Sequence, residues 1–265
     1  MELSGKTVVL TGASRGIGQS LARELAKSGC RLMLTALESD ELSIISQELT
    51  ILSAEVSSIA LDLTDSDEIR TLIDWIKSAQ HPIDILINNA GMGGNFGRFS
   101  HEDWPTIEKI ISLNIVALVQ LTHALLPLLK SRPRAKIVNI SSGIARLPYP
   151  GLAVYGATKG FVSSFSESLI CELADSNVDV LCFHPGFTKT PFIETSKMDL
   201  QKIPKMLIHS PEEVAARIVK AIRKDKFWDY YDFLTGFSTW LGMLLPERFK
   251  KYIFKDLFWS LPHEN

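Results

Sequence analysis

The chain has 265 residues, 46% of them hydrophobic, and a formal net charge of −2. That length fits one large α/β domain as well as two small ones, and the near-neutral balance points away from nucleic acid. The three cysteines, Cys30, Cys171 and Cys182, are scattered, and the six histidines do not cluster. No disulfide framework or metal-ligand spacing results, and a reducing, cytoplasmic setting is expected.

The first strand is expected from about residue 6, which leaves no room for a signal peptide or an N-terminal anchor. Thr7 to Leu10 are apolar and β-rich, followed by Thr11-Gly12-Ala13-Ser14-Arg15-Gly16-Ile17-Gly18 and a helical stretch to Ser28. Strand, glycine-rich turn and helix in that order predict a phosphate site. Glycines admit the pyrophosphate to the backbone, and the helix N-terminus supplies N–H donors and partial positive charge. The spacing TGxxxGxG differs from the GxGxxG of many dinucleotide folds.

Further strands are predicted at Arg31–Thr35, Val56–Leu61, Ile83–Ile87, Lys136–Ile140 and Val178–Phe183. Helices are predicted at about Asp40–Leu52, Ser66–Ala79, Trp104–Lys130 and Leu152–Ala174. Alternating βα units imply a Rossmann-like, doubly wound parallel sheet in a single domain, covered by helices on both faces. Ligands in such folds bind at the carboxyl ends of the strands. The singular residues fall there: Asp62, then Asn88-Asn89-Ala90-Gly91, Ser142 and Pro185-Gly186. Ser142 stands thirteen residues before Tyr155, and Lys159 follows Tyr155 by four, on the same helix face. An ammonium beside a phenol favours the phenolate and is expected to lower its pKa toward neutrality.

This ordered set resembles the short-chain dehydrogenase/reductase family over about residues 4 to 225, through TGxxxGxG at 11–18, Asp62, NNAG at 88–91, Asn114, Ser142, YxxxK at 155–159 and PGxxxT at 185–190. The resemblance implies an NAD(P)-dependent oxidoreductase acting on a ketone or secondary alcohol. Carried over position by position, Tyr155 is the proton donor and acceptor. Lys159 lowers its pKa and binds the nicotinamide ribose, Ser142 binds the substrate oxygen, and Asn114 holds a water in the proton relay. Gly12, Ser14, Arg15, Gly16, Ile17 and Gly18 surround the phosphates. Asp62 with Leu63 contacts the adenine. Asn89, Ala90, Gly91, Pro185, Gly186, Thr188 and Thr190 complete the cofactor site.

An NAD-preferring site places an acid at the end of the second strand. Here that position holds Ala36, while Arg15 can pair bidentately with a 2′-phosphate. Both favour NADP(H) over NAD(H), although Leu37 stands where a second arginine is common in NADP-binding relatives, and Glu38 is close by.

The end of the chain departs from the family's commonest pattern, which closes on a short strand and a Gly-Gly terminus. After a helix from Ser210 to Lys224 and a last strand over Lys226–Tyr231, more than half of the chain's aromatics fall between Phe227 and Trp259. The catalytic domain is therefore expected over 1–231 and a helical, aromatic-rich extension over 232–265. Phe233, Phe237, Trp240, Leu241, Leu244 and Leu245 recur at helical spacing in an uncharged run too short to span a bilayer. Glu247–Trp259 mixes Arg248, Lys250, Lys251 and Lys255 with aromatics. Two readings stand: a helical pair that packs on the body, closes the substrate cleft or forms a homodimer interface, and a peripheral membrane contact over 233–259. The tail is similar to that of family members acting on lipid-like substrates, the ketosphinganine reductases and hydroxysteroid dehydrogenases. Phe192, Ile193, Met198, Leu200, Ile203, Met206, Leu207 and Ile208 fall in a segment the family uses as a lid. They point to a small hydrophobic carbonyl or alcohol as substrate, or else pack on the lid's own support. The rival readings are a 3-oxoacyl carrier-protein reductase and a non-catalytic NADP-binding regulator.

Overall fold

The computed structural model describes residues 1–52, 54–196, 205–246 and 248–250. In chain order the elements are β1 (Thr7–Thr11), α1 (Gly16–Lys27), β2 (Arg31–Ala36), α2 (Ser39–Ile51), β3 (Val56–Ala60), α3 (Ser66–Lys77), β4 (Ile85–Asn88), α4 (Trp104–Ile111), α5 (Leu118–Lys130), β5 (Ala135–Ile140), α6 (Ala153–Glu172), β6 (Val178–His184), β7 (Phe187–Thr188), α7 (Pro191–Thr195), β8 (Ile208–His209), α8 (Pro211–Arg223), β9 (Trp228–Tyr230) and α9 (Phe233–Leu244). Seven strands form one sheet in the order β3-β2-β1-β4-β5-β6-β9. Every pairing is parallel. The order reverses between β1 and β4, and the crevice of a doubly wound sheet opens at such a switch point.

The inner strands form because their residues are buried on both faces, as central strands of a parallel sheet require, while edge strand β3 is largely exposed. Val8 and Leu10 of β1 join one core with Leu21 and Leu25 of α1, Ile45 of α2 and Ile218 of α8. Val9 points the other way, into a second core with Leu72 of α3, Leu121 and Leu125 of α5, and Leu169 of α6. Helix starts follow their capping residues. The Asp65 side chain accepts from Asp67 N at α3, Asp103 from Thr106 N at α4, and Asp232 from Thr235 N at α9. Ser210 and Glu213 form a reciprocal capping box at α8, with Pro211 in its first turn.

The single helix predicted over Trp104–Lys130 is two α-helical pieces joined by a π-helical stretch, Ser112–Ala117. By length and composition this run could cross a membrane. In the fold it lies on the sheet, with Leu118, Leu121, Leu125 and Leu129 buried. α9 docks through its polar edge: Thr239 Oγ1 donates to Gly143 O over 3.1 Å. Its apolar edge faces outward, with Phe233 79% and Trp240 54% exposed. Most of the predicted basic stretch Glu247–Trp259, and Met198, Leu200 and Ile203 of the predicted lid, lie outside the described residues.

Candidate active site

The cleft begins at the turn between β1 and α1. Gly12 has φ +67°, and a Cβ there would come within 2.9 Å of the Ala90 backbone. A Cβ on Gly18 would lie 1.9 Å from Gly12 O, so only glycine lets the turn and helix close on each other. No side chain caps α1, and no acid sits in its first turn. Its N–H groups and positive dipole end therefore face the cleft, which is the arrangement that receives a phosphate. Asn89 braces the turn from β4. Its Nδ2 donates to Thr11 O at 2.9 Å and Gly12 O at 3.1 Å, and Thr11 Oγ1 accepts from the N–H groups of Asn89 and Ala90.

Of the catalytic and cofactor-binding residues that the resemblance names, all but Asn114 line one cleft of about 620 Å³ across the strand ends. Asn114 sits just behind it, buried in the π-helical stretch. Its Oδ1 accepts from Met92 N, and its Nδ2 donates to Met92 O and to Thr158 Oγ1, each at 2.9 Å. Both amide protons are thus spent on protein. Oδ1 keeps a lone pair on the side facing Gly91, where a Cβ would lie 3.1 Å from Oδ1 and 3.3 Å from Lys159 Nζ.

Ser142 leaves the end of β5, and Tyr155 and Lys159 lie in the first two turns of α6. Lys159 is buried, and its Nζ donates to Ile140 O over 2.8 Å. The ammonium stands 5.8 Å from the centre of the Tyr155 ring. The expected lowering of the phenol pKa is not found. Burial pushes Tyr155 up to about 12, against a weaker downward pull from its hydrogen bond with Ser142. Burial likewise pushes Lys159 down to about 8. Desolvation outweighs the lysine because the ammonium is aimed at a backbone carbonyl rather than at the phenol.

The adenosine end also holds a contact the sequence left open. Arg15 Nη2 pairs with Glu38 Oε1 at 2.8 Å, and Glu38 Oε2 accepts from Ser14 Oγ at 3.0 Å. Glu38 lies beside Ala36 and Leu37 in the cleft wall. Arg15 is therefore an ion-paired residue, not a free loop arginine. Asp62 is tied locally, accepting from the N–H and hydroxyl of Thr64 at 2.8 Å. Beyond Ser142 and Tyr155 the wall turns apolar, with Ile144, Tyr149, Leu152, Phe187, Phe192 and Ile193. Phe192 packs at a tilt against Tyr155, with 5.2 Å between ring centres and 51° between ring planes. Residues 6–201 match the family model for short chain dehydrogenases.

The chain belongs to the short-chain dehydrogenase/reductase family. It is an NAD(P)-dependent oxidoreductase of CH–OH and C=O groups. Among relatives in this family, sulfoacetaldehyde reductase 2 of Chromohalobacter salexigens is 36% identical over 186 residues, 70% of this chain and 73% of that protein. The very-long-chain 3-oxoacyl-CoA reductase of Homo sapiens is 35% identical over 225 residues, 82% of this chain and 69% of that protein. A short-chain dehydrogenase from Sphingobium yanoikuyae, solved in complex with NADPH, superposes with a TM-score of 0.81 at 28% identity, covering 91% of this chain and 97% of that one.

Several residues of this short-chain dehydrogenase site carried no sequence signal that singled them out. Met92 engages Asn114 through its backbone, and Thr158 gains its role only from the helix turn that sets it against Asn114. Phe192 was read as part of a lid, and its contact with Tyr155 depends on the loop path after β6.

Proposed function

We propose that this enzyme reduces a hydrophobic ketone, or oxidises the corresponding secondary alcohol, with NADP(H). The observation that carries the substrate class is the apolar wall of Ile144, Tyr149, Leu152, Phe187 and Phe192 on the far side of Ser142 and Tyr155. A carbonyl oxygen between those two hydroxyls has an apolar surface against which to lay its substituents. Bound NADPH supplies the hydride. In the direction of reduction, Ser142 and Tyr155 donate hydrogen bonds to the oxygen as negative charge develops there. Tyr155 then transfers its proton, with the Lys159 amine 5.8 Å from the centre of the ring left behind. In oxidation the same groups work in reverse. Asn114 Oδ1, facing Lys159 across Gly91, is placed to accept from a water between them. The fit to a dinucleotide rests on the uncapped N-terminus of α1 and on the glycine cradle at Gly12 and Gly18.

Support for NADP(H) comes from Ala36 at the end of β2 and from Arg15 at the mouth of the turn. Glu38 must then release Arg15 to a 2′-phosphate. Two further expectations remain part of the proposal. A homodimer is supported by Trp104, Ile111 and Val116 of the α4–α5 run and Phe161 of α6, exposed on helices that pack together. A peripheral membrane contact of a cytoplasmic enzyme is supported by the outward apolar edge of α9, where Phe233, Phe237 and Trp240 form a ladder with ring spacings of 5.7 and 6.1 Å. Aromatic rings beside a basic stretch suit the headgroup layer.

The test is a carbonyl panel spanning steroids, long-chain ketones, retinal, acyl thioesters and small charged aldehydes, followed through NADPH absorbance. Turnover concentrated among the long-chain and polycyclic ketones is expected. Turnover confined to small charged aldehydes would overturn the substrate class. Preference for acyl thioesters would favour the ketoacyl reductase reading, which the resemblance to a 3-oxoacyl-CoA reductase keeps in view.

A further inference from the structure

Behind Lys159 lies a buried polar chain that the reaction above does not use. Ser141 Oγ donates to Lys159 O at 2.9 Å and contacts Ser163 Oγ at 2.8 Å. Ser163 Oγ in turn lies 3.1 Å from His184 Nε2. Ser141, Ser163 and His184 are all essentially sealed from solvent. The His184 ring packs against both Trp228 and Tyr230 of β9, with ring centres at 4.3 and 4.6 Å. The chain therefore runs from the last strand of the sheet, through β6 and α6, to the end of β5.

Counting protons gives the chain a direction. A carbonyl brings no proton, so the Ser141 hydroxyl proton goes to Lys159 O. The proton between the two serines must then be that of Ser163. Ser163 has none left for His184, and His184 Nε2 must donate its own. Four contacts share three protons, so each tautomer leaves one unfilled: the Nε2–H form leaves the longest, Nδ1 to Asp229 O at 3.4 Å, and the competing Nδ1–H form leaves one of the shorter serine contacts. Burial keeps the ring neutral, so it carries a single N–H. The Cys182 thiol, 3.8 Å from Nε2, is kept protonated by burial and is a weak partner. Hydrogen bonds aligned head to tail in a dry interior strengthen one another.

The far end of this chain bears on catalysis. Lys159 is gripped at two points by adjacent residues of one strand end: its Nζ donates to Ile140 O, and its own carbonyl accepts from Ser141. Ser142 is the next residue. We propose that His184 is a positioning residue for proton transfer, acting as the Nε2–H donor at the head of a Ser163–Ser141 chain that fixes the end of β5, and with it Ser142, against Lys159 and Tyr155. The inference rests on the family's proton chemistry and not on the substrate class proposed above.

The test compares isosteres. A glutamine amide reaches the place of Nε2, and an asparagine amide reaches that of Nδ1. With any carbonyl the enzyme turns over, His184→Gln is expected to keep kcat within about 3-fold, while His184→Asn and Ser163→Ala lose about 10-fold or more, the scale of a small misplacement of reacting groups. Cofactor Kd should stay within about 2-fold in each. Equal kcat for the Gln and Asn variants, parental kcat in Ser163→Ala, or cofactor affinity falling in step with kcat would overturn the proposal. Nitrogen-15 NMR of the parent reads the tautomer without turnover, with the His184 resonance assigned by its absence from a substituted variant. An Nε2–H ring between pH 5 and 8 is expected, and an Nδ1–H ring overturns the chain even where no substrate is found or a variant fails to fold. Failure across the carbonyl panel with an Nε2–H ring would count against the substrate class alone.

Discussion

Arg15 and Glu38 form a 2.8 Å ion pair across the adenosine end of the cleft, from the loop before α1 to the residue before α2. Both partners are partly exposed, so the pair itself contributes little to stability. Its weight falls on the cofactor: an anionic 2′-phosphate competes with Glu38 for Arg15, whereas a ribose hydroxyl can donate to Glu38. Arg15→Ala is expected to weaken NADPH by roughly 10- to 150-fold, the scale of a lost charge-assisted pair, and to leave NADH far less affected. Glu38→Gln is expected to move the preference further toward NADPH. Cofactor titrations by fluorescence check both, and equal losses for the two cofactors would remove Arg15 from the 2′-site.

Tyr155→Phe keeps the ring against Phe192 and removes the transferable proton. Cofactor binding should persist while kcat falls by about 100-fold or more. Retention of more than about a tenth of parental kcat would assign the proton to another group.

His184 sets an acid limit on the fold. Burial lowers its pKa from 6.5 to about 3. Between those values the unfolded chain binds a proton that the folded chain does not, so stability is full above pH 6.5 and is lost as pH falls toward 3. One such proton steepens the slope by about 1.4 kcal/mol per pH unit. Urea titrations over this range should show a shallower slope for His184→Gln than for the parent. Matching slopes would mean that the ring is not held neutral.

The outward edge of α9 gives a separate test. Changing Phe233, Phe237 and Trp240 together to serine should release the enzyme from anionic vesicles while sparing turnover of a soluble ketone, because α9 docks on Gly143 through Thr239 instead. Charge reversal at Lys250, Lys251 and Lys255 should act in the same direction, more strongly at low salt. A parent enzyme that ignores vesicles and buries these rings against a second subunit would make the edge an oligomer interface.

The sheet was legible because each inner strand is a short run of apolar, mostly branched residues. Such runs fit a surface buried on both faces whatever their neighbours. The cleft was legible for a related reason: in a doubly wound sheet, position after a strand is position in the site, and Asp62, Asn89, Ser142 and Gly186 needed nothing more. What escaped depends on contacts between distant loops. Arg15 and Glu38 are 23 positions apart and meet only because β1 and β2 are paired in register. The downward shift expected for Tyr155 failed because spacing along a helix places Lys159 near the ring without saying where its ammonium points. His184 fell between the predicted strand Val178–Phe183 and Pro185-Gly186 with nothing to mark it, and only the packing of β9 seals it from water.

The π-helical turn at Ser112–Ala117 also restricts how this chain can change in length. A π turn holds one residue more than an α turn. Losing a single residue there would restore regular winding and leave the helices on either side in the same phase, whereas a deletion inside the regular α-helix would rotate one part against the other by about 100°. Thr106 and Lys109, which line the cleft from α4, would keep their place, and the loss would fall on the local bulge that carries Asn114 to Met92 and Thr158. A one-residue deletion beside Asn114 should therefore lower turnover while sparing the fold, and one in the middle of α5, which would rotate buried Leu121 and Leu125 out of register, should be far more damaging to stability.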